Sequence, residues 1–146
     1  MDKWDKRRLQ LAKFVANWSK DPKAKVGAII ADTLGRIIAL GYNGFAVGIE
    51  DTEERLTGDD KLKMILHAEE NAALIAGERA RGGTIYVFGK PVCAKCAAVI
   101  IQSGIRRVVS PCPEGTSKWT DLGILALESF VEAQIDYDFP DDEAPG

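Results

Sequence analysis

Apolar positions along the chain fall into short stretches whose period changes from helical to extended and back. Trp4, Leu11, Phe14, Val15 and Trp18 recur at spacings of seven, three, one and three, the stripe of an amphipathic helix, which Asp21-Pro22 then stops. Val26 to Ala31 and Ile37 to Leu40 are brief apolar runs on either side of Asp32-Thr33-Leu34-Gly35-Arg36, a pattern that predicts a hairpin. Residues 67–80, with His67, Leu74 and Ile75 among alanines, predict a second helix before Gly82-Gly83, and Ile85 to Phe88 a strand. Cys96 to Ser103 reads as a helix closed by Gly104, and Arg107 to Ser110 as a strand. Trp119 to Glu132 carries a last helical stripe through Leu122, Leu125, Leu127 and Val131. Beyond it, Ile135, Tyr137 and Phe139 alternate with Asp136 and Asp138 as in an edge strand. A helix, two strands, then helices alternating with strands predict an α/β fold: a three-layer α/β/α sandwich around a central mixed sheet of about five strands. At 146 residues the chain has room for one domain, expected over residues 1–140, with an acidic tail at 141–146.

Composition narrows the function classes. Apolar residues make up 46% and charged residues 28%, values of a globular chain rather than a disordered or collagen-like one. Lysine and arginine total 19 against 22 acids, a net charge of -3, the wrong sign for a protein whose affinity rests on wrapping a phosphate backbone. No nucleic-acid polymer is therefore expected as partner. The ends differ in sign: residues 1–25 hold eight bases and three acids, while residues 133–146 hold five acids and no base. Solvated faces explain both. No run approaches the roughly 18–20 apolar residues of a membrane helix, and Met1-Asp2-Lys3-Trp4-Asp5-Lys6 lacks the apolar stretch of a signal peptide, so a soluble, cytoplasmic protein without membrane contact is expected.

The chemistry sits in two short motifs. Of three cysteines, two form Cys93-Ala94-Lys95-Cys96, which in a reducing compartment reads as metal or redox chemistry before disulfide. The one histidine, His67, begins His67-Ala68-Glu69. Both motifs stand at predicted helix starts, where free N–H groups and the positive dipole end favour thiolate over thiol. One histidine and two cysteines fill three of zinc's four tetrahedral positions, the ligand count of a catalytic site that leaves one place for water. Zinc brings that water's pKa down from ~16 towards ~7, and Glu69 beside it would manage the protons. Each element alone has an ordinary reading: His67 as a hydrogen-bonded histidine, Glu69 as a helix-dipole partner with Glu70 a solvated neighbour, the cysteine pair as redox or structural zinc. Cys112, between Pro111 and Pro113, could supply a fourth thiolate and close the site into structural zinc; a loop position makes it a spectator.

With Asn71-Ala72 after His67-Ala68-Glu69, and Gly41-Tyr42-Asn43-Gly44-Phe45 upstream, the chain resembles the deoxycytidylate (dCMP) deaminases of the cytidine-deaminase-like superfamily. Ser19-Lys20-Asp21-Pro22, Val26-Gly27-Ala28, Thr84-Ile85-Tyr86-Val87 and Ile100-Ile101-Gln102-Ser103-Gly104-Ile105 extend the resemblance over about residues 4 to 135. It implies hydrolytic deamination of dCMP to dUMP, with His67, Cys93 and Cys96 on zinc, Glu69 as proton shuttle, and Asn43 and Ala68 at the bound nucleotide. Lys20 and Lys25 would meet the 5′-phosphate. On residue chemistry alone Asn43 is equally a turn residue between glycines, and exposed lysines usually face solvent. The resemblance also implies a homo-oligomer, with a hexamer and dCTP or dTTP effectors known in the family. Two departures stand out. Val92 separates Pro91 from Cys93 where the family joins proline to cysteine, and Ala46 follows Phe45 where proline is common. Between Gly44 and His67 there is neither cysteine nor histidine, so no additional structural zinc is expected there. The alternatives are deamination of another cytosine nucleotide or nucleoside, such as a 5-substituted dCMP, or of another aminated heterocycle, and a non-catalytic interaction module with closed structural zinc.

Overall fold

The computed structural model describes residues 1–140; the acidic tail expected at 141–146 lies outside the described residues. Five strands run β1 (Gly27–Ala31), β2 (Ile37–Tyr42), β3 (Thr84–Phe88), β4 (Arg107–Val109) and β5 (Asp136–Asp138), in sheet order β2-β1-β3-β4-β5. β1 is antiparallel to both β2 and β3, whereas β3, β4 and β5 are parallel to one another. The expected mixed sheet of five strands is therefore what forms. Helix α1 (Lys3–Ala16) covers one face, packing Leu9, Ala12 and Val15 on Ile29, Ala31 and Tyr86. The alternate strand residues Ala28, Ile30, Ile85, Val87 and Val108 point to the other face. There α4 (Ala68–Ala76), α5 (Ala94–Gln102) and α6 (Lys118–Glu132) complete the sandwich. No helix among the described residues is long and apolar enough to cross a membrane.

Three helices bury only part of the stripe their large apolar residues suggest: Val15 enters the core and Leu11 and Leu127 pack against it, while other large residues face outward. α1 buries Leu9, Ala12, Val15 and Ala16 and leaves Trp4, Phe14 and Trp18 exposed. α4 buries Ala68, Ala72, Ala73 and Ala76 while Leu74 and Ile75 face outward, and α6 buries Gly123, Ala126 and Phe130 while Leu125 and Val131 do not enter the core. For α1 and α4 the reason is closeness of approach. A Cβ placed on Gly27 of β1 would lie 2.0 Å from the Ala12 carbonyl oxygen, and one on Gly41 of β2 would lie 2.7 Å from both the Ala68 oxygen and the Ala72 nitrogen. Only small side chains fit between backbones that near.

Other boundaries shift for local reasons. α1 stops at Ala16, well before Asp21-Pro22, and β2 runs on to Tyr42. The helix expected over 67–80 ends at Ala76 and tightens into a 3-10 turn over Gly77–Ala80, since Gly77 takes φ of +57°. Two short helices not foreseen, α2 (Glu53–Thr57) and α3 (Lys61–Met64), lie between β2 and α4, and neither buries a residue.

One polar cluster ties α1 to the sheet. Arg107 of β4 holds Asp5 with two N–H donors at 2.9 and 3.0 Å, and the Tyr86 hydroxyl donates to the same carboxylate at 2.8 Å while accepting from Arg8 at 3.0 Å. Arg107 holds the Asp5 carboxyl well below the usual carboxylate range, with the Tyr86 hydroxyl adding to the effect against the cost of burial. A lowered folded-state pKa means stability that is present above the unfolded value near ~4 and is lost as pH falls below it. Asp5→Asn is expected to cost about 2–4 kcal/mol at neutral pH, and the deficit to shrink as pH falls from about 4, because the parent then loses its own contribution. Urea unfolding of both proteins across that range checks it; a pH-independent difference contradicts the assignment.

Candidate active site

The strand directions place the chemistry. β2 and β3 are both antiparallel to β1, so they run parallel to each other and to β4. The helices that follow these three strands, α4, α5 and α6, thus begin along one edge of the sheet, at the strands' carboxyl ends, where α/β folds hold their ligands. His67 is the N-cap of α4 and Cys93 the N-cap of α5. Both take extended backbone angles there, as N-caps do, which turns their side chains off the helix ends and toward one another.

His67 Nδ1 lies 3.1 Å from Cys96 Sγ and 3.6 Å from Cys93 Sγ. The three donor atoms all fall within 4.8 Å of one another. A tetrahedral ion with metal–sulfur bonds of ~2.3 Å and metal–nitrogen bonds of ~2.0–2.1 Å spaces nitrogen and sulfur donors by about 3.5 Å, so the arrangement fits zinc in distance and in donor chemistry. The Cys93 thiol is pulled down to about 4 by its hydrogen bonds to the Cys96 thiol and to His67, which prepares a thiolate, while the same Cys93 contact and burial push Cys96 upward. Glu70 is part of the frame rather than a solvated neighbour: its carboxylate accepts the His67 backbone N–H at 2.9 Å. Cys112 is exposed, hydrogen-bonds the Pro113 carbonyl and stands outside the cluster.

A cavity of about 630 Å³ opens beside the cluster, within the range of small-molecule sites. His67, Cys93, Ala68, Glu69 and Asn43 all line it. Glu69 is only 4% exposed, and burial lifts its carboxyl to about 7. Asn43 is buried as well: its Oδ1 accepts the Val26 N–H, and its amide donates to the Ala24 carbonyl at 2.9 Å and to Asp21 at 3.3 Å. The inserted Val92 turns into the core, leaving Pro91 on the cavity wall. Lys20 and Lys25 stand elsewhere. Lys20 pairs with Asp51 at 3.0 Å and Lys25 donates to the Ser19 carbonyl; neither lines the cavity, whose lysines are Lys23, Lys61 and Lys90. Trp119, near Lys90 and Lys118, faces the cavity from the start of α6. Sequence reasoning passed over Lys61, Lys90 and Trp119 because none lies in a motif.

Known proteins share this plan. The family model for the cytidine and deoxycytidylate deaminase zinc-binding region matches residues 2–112. An uncharacterized deaminase encoded 3′ of luxG in Aliivibrio fischeri is 39% identical over 140 residues, covering 93% of this chain and 92% of that protein. The Homo sapiens deoxycytidylate deaminase is 35% identical over 115 residues; the match covers 73% of this chain and 63% of the human protein. Among solved structures, the dCMP deaminase of cyanophage S-TIM5 in complex with dCMP and dUMP superposes with a TM-score of 0.74 at 23% identity, over 96% of this chain and 99% of that one, a likeness of fold.

Metal content is expected at one zinc per chain. Cys112→Ser should keep all of it, whereas Cys93→Ser should lose most, because removing one of three protein donors cripples the site. Elemental analysis of the purified variants decides; zinc loss in the Cys112 variant would mean a closed four-ligand site.

Proposed function

The chain belongs to the cytidine and deoxycytidylate deaminase zinc-binding family, and from that premise we propose that it hydrolyses the 4-amino group of dCMP, yielding dUMP and ammonia. The observation that carries this reading is a buried carboxylate, Glu69, on the wall of a nucleotide-sized cavity beside three convergent metal donors. His67, Cys93 and Cys96 would hold zinc, whose Lewis acidity toward water makes a nucleophile available at neutral pH. Glu69 takes the proton released from that water and passes it to the ring nitrogen N3. Once the oxygen has added at C4, Glu69 would take the second proton from that C4 hydroxyl and deliver it to the amine as the C4–N bond breaks, leaving a C4 carbonyl, a proton on N3 and ammonia. A carboxyl lifted to about 7 by burial exchanges protons readily in both directions near neutrality.

Lys23 and Lys90 line the cavity and supply positive charge for a phosphate; Lys61 is held by Asp21. Trp119 offers a flat face for a base, and Asn43, its amide spent on the loop, shapes the sugar side. We assign dCMP over other cytosine compounds because relatives carrying that name match 73% of the chain. A homo-oligomer is supported by the outward stripe of Trp4, Phe14 and Trp18, with Trp18 edge-on to Tyr42, since contiguous apolar surface marks interfaces.

Glu69→Gln is expected to keep its zinc and lose at least ~10²–10⁴ in rate, because the amide keeps the shape and removes the proton acceptor. Metal analysis with an ammonia-release assay checks it, and near-normal turnover sinks the role. Wild type should show kcat/KM for dCMP at least ~10²-fold above deoxycytidine, since a charge-assisted phosphate contact contributes ~1.5–3 kcal/mol and two lysines face the cavity. Equal efficiencies would replace the monophosphate reading with a nucleoside one.

A further inference from the structure

The cavity's outer wall comes from a part of the chain with almost nothing beneath it. None of residues 45–66 is buried, yet Leu56, Thr57, Gly58, Lys61, Leu62 and Ile65 line the cavity. α2 and α3 are five and four residues long, too short to hold their shape alone. The base of the segment is closed by two backbone hydrogen bonds, Gly44 N–H to the Leu66 carbonyl at 3.1 Å and Leu66 N–H to the Gly44 carbonyl at 2.8 Å. With neither cysteine nor histidine between Gly44 and His67, neither a disulfide nor a thiolate or imidazole metal site can staple it.

Two ion pairs of opposite polarity fasten it instead. Lys20 reaches Asp51 at 3.0 Å and the next residue, Asp21, receives Lys61 at 2.8 Å. The first pair is exposed; in the second the Lys61 side chain is 14% exposed and that of Asp21 4%. Asp21 is itself rigid, accepting the N–H groups of Lys23 and Ala24 at 2.9 and 3.1 Å and the Asn43 amide. Burial opposes its charge, but Lys61 and the two backbone donors together hold the Asp21 carboxyl below its ordinary value, so it stays a carboxylate at neutral pH.

We propose that Asp21 and Lys61 are positioning residues for the substrate: their ion pair holds residues 45–66 closed as the cavity's outer wall, and Lys61 acts through that wall instead of contacting phosphate. The position is consistent with an ammonium that sits among cavity residues with its charge already committed to a carboxylate. The exposed Lys20–Asp51 pair is the minor fastening, since solvent screens it.

The test uses the intact zinc-loaded chain and the variants Lys61→Met, Lys61→Arg and Asp51→Asn. In Lys61→Met, amides of residues 45–66 should exchange hydrogen about tenfold faster or more, while those of β1 and β3 are unchanged. KM should rise about fivefold or more by the same factor for dCMP and for deoxycytidine, with kcat within about threefold, because binding alone depends on the wall. Lys61→Arg should restore both, and Asp51→Asn should stay within about twofold of wild type. If Lys61→Met does not fold, Asp21→Asn combined with Lys61→Met removes the buried charges while retaining the Lys23 and Ala24 acceptor, and the same results are expected. Unchanged exchange overturns the proposal, as does a KM increase confined to dCMP, which would make Lys61 a phosphate contact. The kinetic arm rests on the dCMP reading, and its failure in wild type would be a failure of that reading; the exchange arm stands without it.

Discussion

The site depends on one topological constraint: β1 alone runs against the other four strands of the sheet. Because β2 and β3 both pair antiparallel with β1, they share a direction, and the helices that leave them start at the same edge. His67 caps the first of those helices and Cys93 the second, with Cys96 one turn farther on. Were β1 parallel to either neighbour, one helix start would lie at the opposite edge, a strand's length away. The metal donors are thus not gathered by loops that happen to meet. Their convergence within 4.8 Å follows from strand polarity, and the N-cap geometry supplies the last few ångströms.

Strand polarity also explains why the sequence was informative about the donors and poor about the packing. Period and turn residues revealed every strand, because alternation and Gly- or Asp-rich breaks are local properties. The inward faces of α1, α4 and α6 were another matter. A stripe of large apolar residues looks like the buried face, yet α1 and α4 bury Ala12, Ala16, Ala72 and Ala76 where helix and sheet backbones nearly touch at Gly27 and Gly41, and α6 buries Gly123, against the Pro113 ring, and Ala126. Interbackbone distance is not written in a period. What remains on the outside of these helices is Trp4, Phe14, Trp18, Leu74, Ile75, Leu125 and Val131, apolar side chains that the sheet does not cover. α2 and α3 escaped notice for the converse reason: with no residue buried, they leave no apolar periodicity to read.

Side-chain chemistry was legible where the residue types are scarce and ambiguous where they are common. A single histidine and a Cys-x-x-Cys pair admit few metal arrangements, and the structure brings these three together while leaving Cys112 apart. Lysines are plentiful, and the sequence could not rank them. Lys20 and Lys25, expected at the phosphate, face Asp51 and Ser19, while Lys61 and Lys90 line the cavity. Ser19-Lys20-Asp21-Pro22 turns out to be an internal joint. Ser19 accepts from Asp21 N–H and donates to the Asn43 carbonyl at 2.8 Å, and Asp21 gathers Asn43, Lys23, Ala24 and Lys61. Asn43 likewise spends its amide on fixing Val26 and Ala24, so whatever it does for a ligand it does from a fixed position.

Hydrolysis at a ring carbon asks two opposed things of a protein. Donors and proton shuttle must be held to within about half an ångström, which needs packed, low-entropy surroundings. On the proposed reading the substrate must nevertheless reach Glu69, which is only 4% exposed. The chain separates the two demands in space. Ala68, Glu69 and Cys96 belong to helix turns whose neighbours are buried on the sheet, so their geometry draws on the stability of the whole core. Residues 45–66 contribute no buried residue to that core and are joined to it by a two-bond bridge and two ion pairs, so their hold on it is the weakest in the described chain. Local stability is thus lowest where a substrate has to enter and highest around the metal donors and Glu69, whose carboxyl is lifted by burial at the start of a core helix, so a change in the wall bears on binding and leaves the carboxyl's setting to the core.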